Sequence, residues 1–341
     1  MDSVVTEDQR SLLDASMRFM QQAYPLTSVR DSGYLDGQIA ADYRRQAGEL
    51  GWFSMLVPEG LGGGSVTGNG VLDAALIAFR RGGLLQPGAF VPTNVVAYAL
   101  SVAGSEEQQA KVLPSLISGE ATAAWALGAP TVHGSSGARA TAAGEGYTLS
   151  GSATFVQDAD VAEWLLVTAA TDDGLVQFLL PGDSPGVSIR PMECLDLSRR
   201  FAEVRFDGAE GAVSASVGRE VDAADLVAQQ LAIACVLNTA ECVGAMDHDF
   251  EMALQYSKDR IAFGRPIGSF QAIKHVLADT SLALEMSKAI TLAAARTVGS
   301  GDSYGPEAAS MAKAFVGDAA IELAQDCFQI FGGIGYTWEH D

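Results

Sequence analysis

The stretch DRIAFGRPIGSFQAIKH, residues 259–275, carries Arg260, Arg265 and Lys274 within fifteen residues of a chain whose formal net charge is −21. Phe263-Gly264 turns the chain, Pro266 and Gly268 sharpen the turn, and Ser269 is placed to cap the helix that follows. A helix N-terminus offers free N–H groups to an anion, and arginine adds a bidentate donor. Phe263 and Phe270 can stack on a flat ring. The bland alternative is a polar helix–helix loop whose arginines serve solubility.

Working outward, 48% hydrophobic residues over 341 positions allow a large core and two or three domains. The acidic balance argues against nucleic acid or an anionic membrane as partner, while leaving room for a small anionic ligand at a local basic patch. Cys194, Cys235, Cys242 and Cys327 show no CxxC spacing and read as buried thiols of a reducing compartment. The N-terminus has no signal-peptide pattern. No apolar run is read as reaching the roughly 18–20 residues of a membrane helix. The expectation is a cytoplasmic globular protein with no membrane insertion.

The pattern divides the chain into three. Residues 1–120 read as helical. Thr6 with Gln9 forms a capping-box signature ahead of Leu12, Leu13, Met17, Phe19 and Met20 at helical spacing. GVLDAALIAFRRGG (70–83) and PTNVVAYALSVAG (92–104) are helices ended by glycine, and SEEQQAKVLPSLISGE (105–120) reads as a short helix pair. Residues 121–221 hold short β-rich runs broken by Gly, Pro, Asp and Ser, the spacing of an antiparallel sheet or barrel. Residues 222–341 are helical again: one long helix over 222–258, a second closed by Gly299 and Gly301, and a third opened by Pro306.

Two further features bear on chemistry. QIFGGIGYTWEHD (329–341) carries a GGxG, but behind a helix, so a Rossmann loop is excluded by context. Its glycines either admit a ligand or merely end the helix. Glu241, in LAIACVLNTAECVGAM, has helical neighbours Ala234, Leu237, Asn238, Gly244, Ala245 and His248. A carboxylate on such a face is desolvated, which favours its protonated form and suits a general base. The alternatives are a solvated Glu or one paired with an Arg from elsewhere. Ser310–Lys313 matches SxxK without a KTG partner, and the four histidines show no metal spacing.

Together, RIAFGRPIGSFQAIKH and QIFGGIGY, sixty residues apart, resemble the C-terminal pair of the acyl-CoA dehydrogenase family. LGWFSMLVPEGLGGG, SGEATAAWAL and MAKAFVGDAA are weaker echoes along the rest of the chain. The resemblance implies an α+β fold: an N-terminal helical domain, a middle antiparallel β domain and a C-terminal four-helix bundle. It implies FAD held between subunits of a tetramer. In the family's terms Arg260, Phe263, Phe270 and Gln271 reach the flavin nucleotide of a neighbouring subunit, and Gln329, Gly332 and Gly333 meet its adenine-diphosphate part. The implied reaction is α,β-dehydrogenation of an acyl-CoA thioester, as in fatty acid β-oxidation. A carboxylate takes the α-proton, hydride passes to flavin, and an electron-transferring flavoprotein is the electron acceptor.

The chain also departs from that pattern. The family's T-E-P-x-x-G-S-D run corresponds to LGAPTVHGSSGA (127–138), without its acidic and threonine positions, and the W-x-T segment becomes Phe155-Val156-Gln157. Many members carry the base in an E-G-T motif further along than Asp341. Others place it at a site that falls on Ala234, with an arginine that falls on Cys235. Glu241, two turns along that face, is then the expected base. A good C-terminal clamp beside an altered β-domain motif resembles one subunit of the heteromeric (α2β2) enzymes of actinobacterial steroid side-chain degradation. The implied alternatives are a catalytic subunit working with a paralogous partner, a non-catalytic subunit completing the partner's FAD site, and a homotetramer. Small residues around Glu241 leave room for a bulky acyl group.

Overall fold

A computed structural model describes residues 5–32, 41–127, 137–218 and 222–341. The first part runs through α1 (Glu7–Ala23), α2 (Leu26–Ser32), α3 (Ala41–Glu49), α4 (Gly70–Gly83), α5 (Phe90–Ala103) and α6 (Glu106–Ile117). The expected capping box starts α1: Gln9 N–H donates to Thr6 Oγ1, and Thr6 N–H donates to Gln9 Oε1. Ser105 and Gln108 repeat it at α6. The expected helix pair at 105–120 is instead this single helix. Pro114 lies in its last turns, so the missing N–H costs one late hydrogen bond and does not split it.

The middle part is a mixed sheet. Its strands are β1 (Ala123–Leu127), β2 (Ala138–Ala143), β3 (Gly146–Gln157), β4 (Trp164–Ala170), β5 (Leu175–Pro181), β6 (Val187–Pro191), β7 (Phe201–Gly211) and β8 (Ser216–Val217). The order is β6-β7-β3-β2-β4-β5-β8, with β1 beside β4. Most neighbours are antiparallel, as expected, but β1 and β2 each pair with β4 in parallel. Central strands are buried on both faces, which is why WLLVTAA and LVQFLLP are almost continuously apolar. Leu165, Val167, Phe178 and Leu180 face one core with Leu149 and Val204. Leu166 and Leu179 face the other, against Val96, Leu100, Leu113 and Leu116 of α5 and α6.

The last part comprises α7 (Ala223–Asp259), the two-residue strands β9 (Ile261–Ala262) and β10 (Arg265–Pro266), α8 (Gln271–Gly299) and α9 (Gly305–Phe331). By length and hydropathy alone α7 would suffice to cross a membrane, against the sequence expectation. Most of its apolar stretch is buried in the protein.

The chain packs as two compact units. One holds Met1–Thr27, Val71–Gln86 and Cys235–Asp341; the other holds Ser28–Gly70 and Pro87–Ala234. In the first, α4, α7, α8 and α9 share one core built on Phe79, Val243, Phe250, Leu284, Val316 and Leu323. Among the described residues the C-terminal part therefore supplies three helices of this core, and α4 supplies a fourth. The helices α4 and α7 touch backbone to backbone. A Cβ on Gly82 would lie 1.8 Å from Glu241 O, and one on Gly244 would lie 1.9 Å from Phe79 O.

Candidate functional site

The opening stretch folds as a two-residue β-hairpin at the end of α7. Phe263 (φ 53°) and Gly264 (φ 81°) both adopt the left-handed conformation at its tip, as a type I′ turn requires. Arg260 begins the hairpin, exposed, with its carbonyl accepting from Ile267 N–H. Phe263 stands 94% exposed. A buried aromatic would have explained this turn by packing; an exposed one on a strained backbone does not contribute to a core. Phe263 meets Phe270 edge to face at 6.2 Å, and the Arg265 guanidinium lies over the Phe270 ring at 4.0 Å.

Gln271 is the first residue of α8 and is exposed. Ser269 does not cap this helix, contrary to expectation: its hydroxyl donates to Pro266 O, and Phe270 occupies the N-cap with no side-chain hydrogen bond. The first N–H groups of a 29-residue helix are thus left without a side-chain cap, beside a cation and two aromatic rings. This donor set fits a ligand with an anionic part and a planar part.

In the second motif, Gln329 is exposed near the end of α9, Gly332 (φ 61°) terminates the helix, and Gly333 has open space where a side chain would be. The helix-ending reading holds for Gly332, and at Gly333 the backbone is left bare. The rings of Tyr256 and Phe331, 5.3 Å apart, tie the end of α7 to the end of α9. Each ring is within a few residues of a motif, so packing holds the two hosts together.

Glu241 lies 5% exposed on α7, and Arg81 Nε donates to its Oε1 at 3.2 Å. The pairing left open by the sequence is the one realised, with Arg81 of α4 as the partner. Glu241 does not line the cavity of about 510 Å³ in the same unit, which is bounded by Met246, His248, Asp249, Leu323, Phe331 and His340, among others. His248 and His340, distant in sequence, share that cavity. Burial pushes Asp249 up to about 6. Burial also raises the thiols of Cys235 and Cys242, and takes Cys327 to about 12 with help from the Asp249 and Asp326 charges. Those three are poor nucleophiles near neutral pH.

Residues 6–120 match the acyl-CoA dehydrogenase N-terminal domain, and residues 224–341 match the acyl-CoA dehydrogenase C-terminal domain. The chain belongs to the acyl-CoA dehydrogenase family. It is 31% identical over 310 residues to an acyl-CoA dehydrogenase of Bacillus subtilis, covering 87% of this chain and 80% of that one. It is 27% identical to cyclohexane-1-carbonyl-CoA dehydrogenase of Geobacter metallireducens, over 92% of this chain and 83% of that one. Among solved structures, the ChsE4-ChsE5 complex of Mycobacterium tuberculosis contains a chain 26% identical, with TM-score 0.88, covering all of this chain and 90% of that one.

Where the acyl-CoA dehydrogenase pattern has W-x-T, Phe155 is 68% exposed at φ 57°, edge to face with Phe201 at 6.5 Å. The β3–β7 register shifts between Ala153 and Val156, and the extra residue turns Phe155 outward. Ala234 and Cys235 are half-buried on α7. Of the run 127–138, residues 128–136 lie outside the described residues. Sequence reasoning counted Arg265 in the basic cluster but did not name it among the cofactor contacts; its position one residue before the hairpin's proline was the available signal. It also gave no partner for Glu241, because Arg81 is 160 residues away.

Proposed function

We propose that the chain is a subunit of an FAD-dependent acyl-CoA dehydrogenase acting on the α,β-carbons of an acyl-CoA thioester. The observation that carries this is the exposed Phe263–Phe270–Arg265 platform beside the uncapped N-terminus of α8. Arg260, Arg265 and the α8 N–H groups would hold the diphosphate, Phe263 and Phe270 would cover a ring, and Gln271, Gln329, Gly332 and Gly333 would offer amide and backbone contacts. FAD, when bound, supplies the hydride acceptor. Phe263 stands out in solvent, which supports a cofactor shared with a neighbouring chain. Electrons would leave to an electron-transferring flavoprotein, in a cytoplasmic setting.

A second reading is favoured by one observation. Glu241 is paired with Arg81 and does not line the cavity, and Ala234 cannot accept a proton. This supports a partner subunit that lends its clamp to a paralogue in an α2β2 assembly, the acyl chain being a bulky one such as a steroid side chain. The likeness to a chain of the ChsE4-ChsE5 complex lends support to such an assembly.

The test is the visible spectrum of this chain purified alone, then with its nearest genomic paralogue, followed by bleaching with acyl-CoA. Flavin in either preparation, reduced by an acyl-CoA, is the expected result. No flavin in both would overturn the proposal. Flavin in the pair alone would favour the shared site.

A further inference from the structure

The Glu241–Arg81 contact belongs to a longer chain of buried polar groups, all within one unit. Arg81 Nε donates to Glu241 Oε1, and its Nη2 donates to Gln86 O at 3.2 Å. Gln86, wholly buried, donates from Nε2 to Leu84 O at 3.1 Å and to Tyr24 O at 2.8 Å. Between them the backbone folds tightly: Leu85 N–H reaches Gly82 O, Gln86 N–H reaches Arg81 O, and Leu85 holds φ 47° without being a glycine. Such a turn persists only where its surroundings over-determine it. The bare backbones of Gly82 and Gly244 let α4 and α7 come close enough for the ion pair to form.

We propose that Glu241 is a positioning residue. It anchors, through Arg81, a buried latch of Arg81, Gln86 and Tyr24 that fixes the Leu84–Gln86 turn. It is not the proton acceptor. This rests on the proposed function only for the turnover readout.

The physics of buried ion pairs supplies the test. Removing one partner takes the opposite charge from the other, whereas removing both leaves no charge of the pair buried. In the flavin-loaded assembly, Arg81→Gln is expected to speed amide hydrogen exchange at Leu84, Leu85 and Gln86 by about tenfold or more and to lower turnover. Glu241→Gln takes the carboxylate from the guanidinium and acts in the same direction. The double variant Arg81→Gln/Glu241→Gln recovers slow exchange, and keeps both turnover and exchange of the acyl-CoA α-proton with solvent. Two results overturn the proposal. One is a double variant with native amide exchange but no α-proton exchange, which makes Glu241 the base. The other is Arg81→Gln with unchanged exchange at residues 84–86, which removes the latch. If the wild-type assembly neither binds flavin nor turns over, the proposed function fails, while the amide-exchange arm still decides the latch.

Discussion

Gln177 of β5 and Gln230 of α7 exchange both of their amide hydrogen bonds, at 2.7 and 2.9 Å, and neither is exposed. Gln177 Nε2 also donates to Thr168 Oγ1 at 2.8 Å, and that oxygen accepts from Trp125 Nε1 at 3.0 Å. One polar thread therefore runs from α7 to β5, β4 and β1. Gln230→Leu leaves the buried Gln177 amide without that partner and should cost about 1–3 kcal/mol. Gln177→Leu/Gln230→Leu, which removes both amides of the pair, should cost less than the sum of the single changes. Urea unfolding followed by tryptophan fluorescence measures both. Additive losses would count against the pair.

The hairpin platform makes a contrary prediction. Phe263 is almost fully exposed, so Phe263→Ala should leave the melting temperature of the chain within error. Under the proposed function it should weaken FAD binding, as should Arg265→Ala, each by about 1 kcal/mol or five-fold. Titration of flavin into the assembled apoprotein reads this. Lost stability without lost flavin affinity would assign the rings to packing.

Asp249 sets a pH dependence. Burial raises its folded-state value from the ordinary 3.8 to about 6, so between those pH values the folded chain holds more proton than the unfolded chain. Its contribution to stability is present below the unfolded value and is lost as pH rises through the folded one. Asp249→Asn should therefore melt higher than the wild type at pH 7, and the gap should close by pH 4. Parallel thermal melts across that range check the sign.

At the α4–α7 crossing, Gly82→Ala and Gly244→Ala each drive a methyl into backbone carbonyls and should cost about 3 kcal/mol or more, or abolish soluble expression. Gly317→Ala on α9 meets only the Lys313 Nζ, at 3.8 Å, and should stabilise by up to about 1 kcal/mol through helix propensity. Little or no loss at Gly82 and Gly244 would show that the crossing is looser than described.

Local signals in the sequence were sufficient for the elements. Thr6 with Gln9, Pro306 and the uninterrupted run over 222–258 act within a turn or two of chain, and each produced the helix start or length expected. Ser269 misled because a hydroxyl near a helix start can satisfy a local carbonyl as readily as a cap, and the two patterns look alike in one dimension. The parallel pairing of β1 with β4 was not legible: an apolar run buried on both faces carries no alternation to show which neighbour it takes.

The sequence by itself determined the order of helices, strands and helices, and the clustering of arginine, phenylalanine and glycine at 259–275. These depend on neighbours in the chain. Only the tertiary structure decided what Glu241 meets. Its surroundings on α7 look apolar in the sequence, yet the charge that meets it comes from Arg81 on another helix, brought within reach because Gly82 and Gly244 let two backbones touch. A buried carboxylate takes its chemistry from whatever lies within about 4 Å, and that distance is not written along the chain.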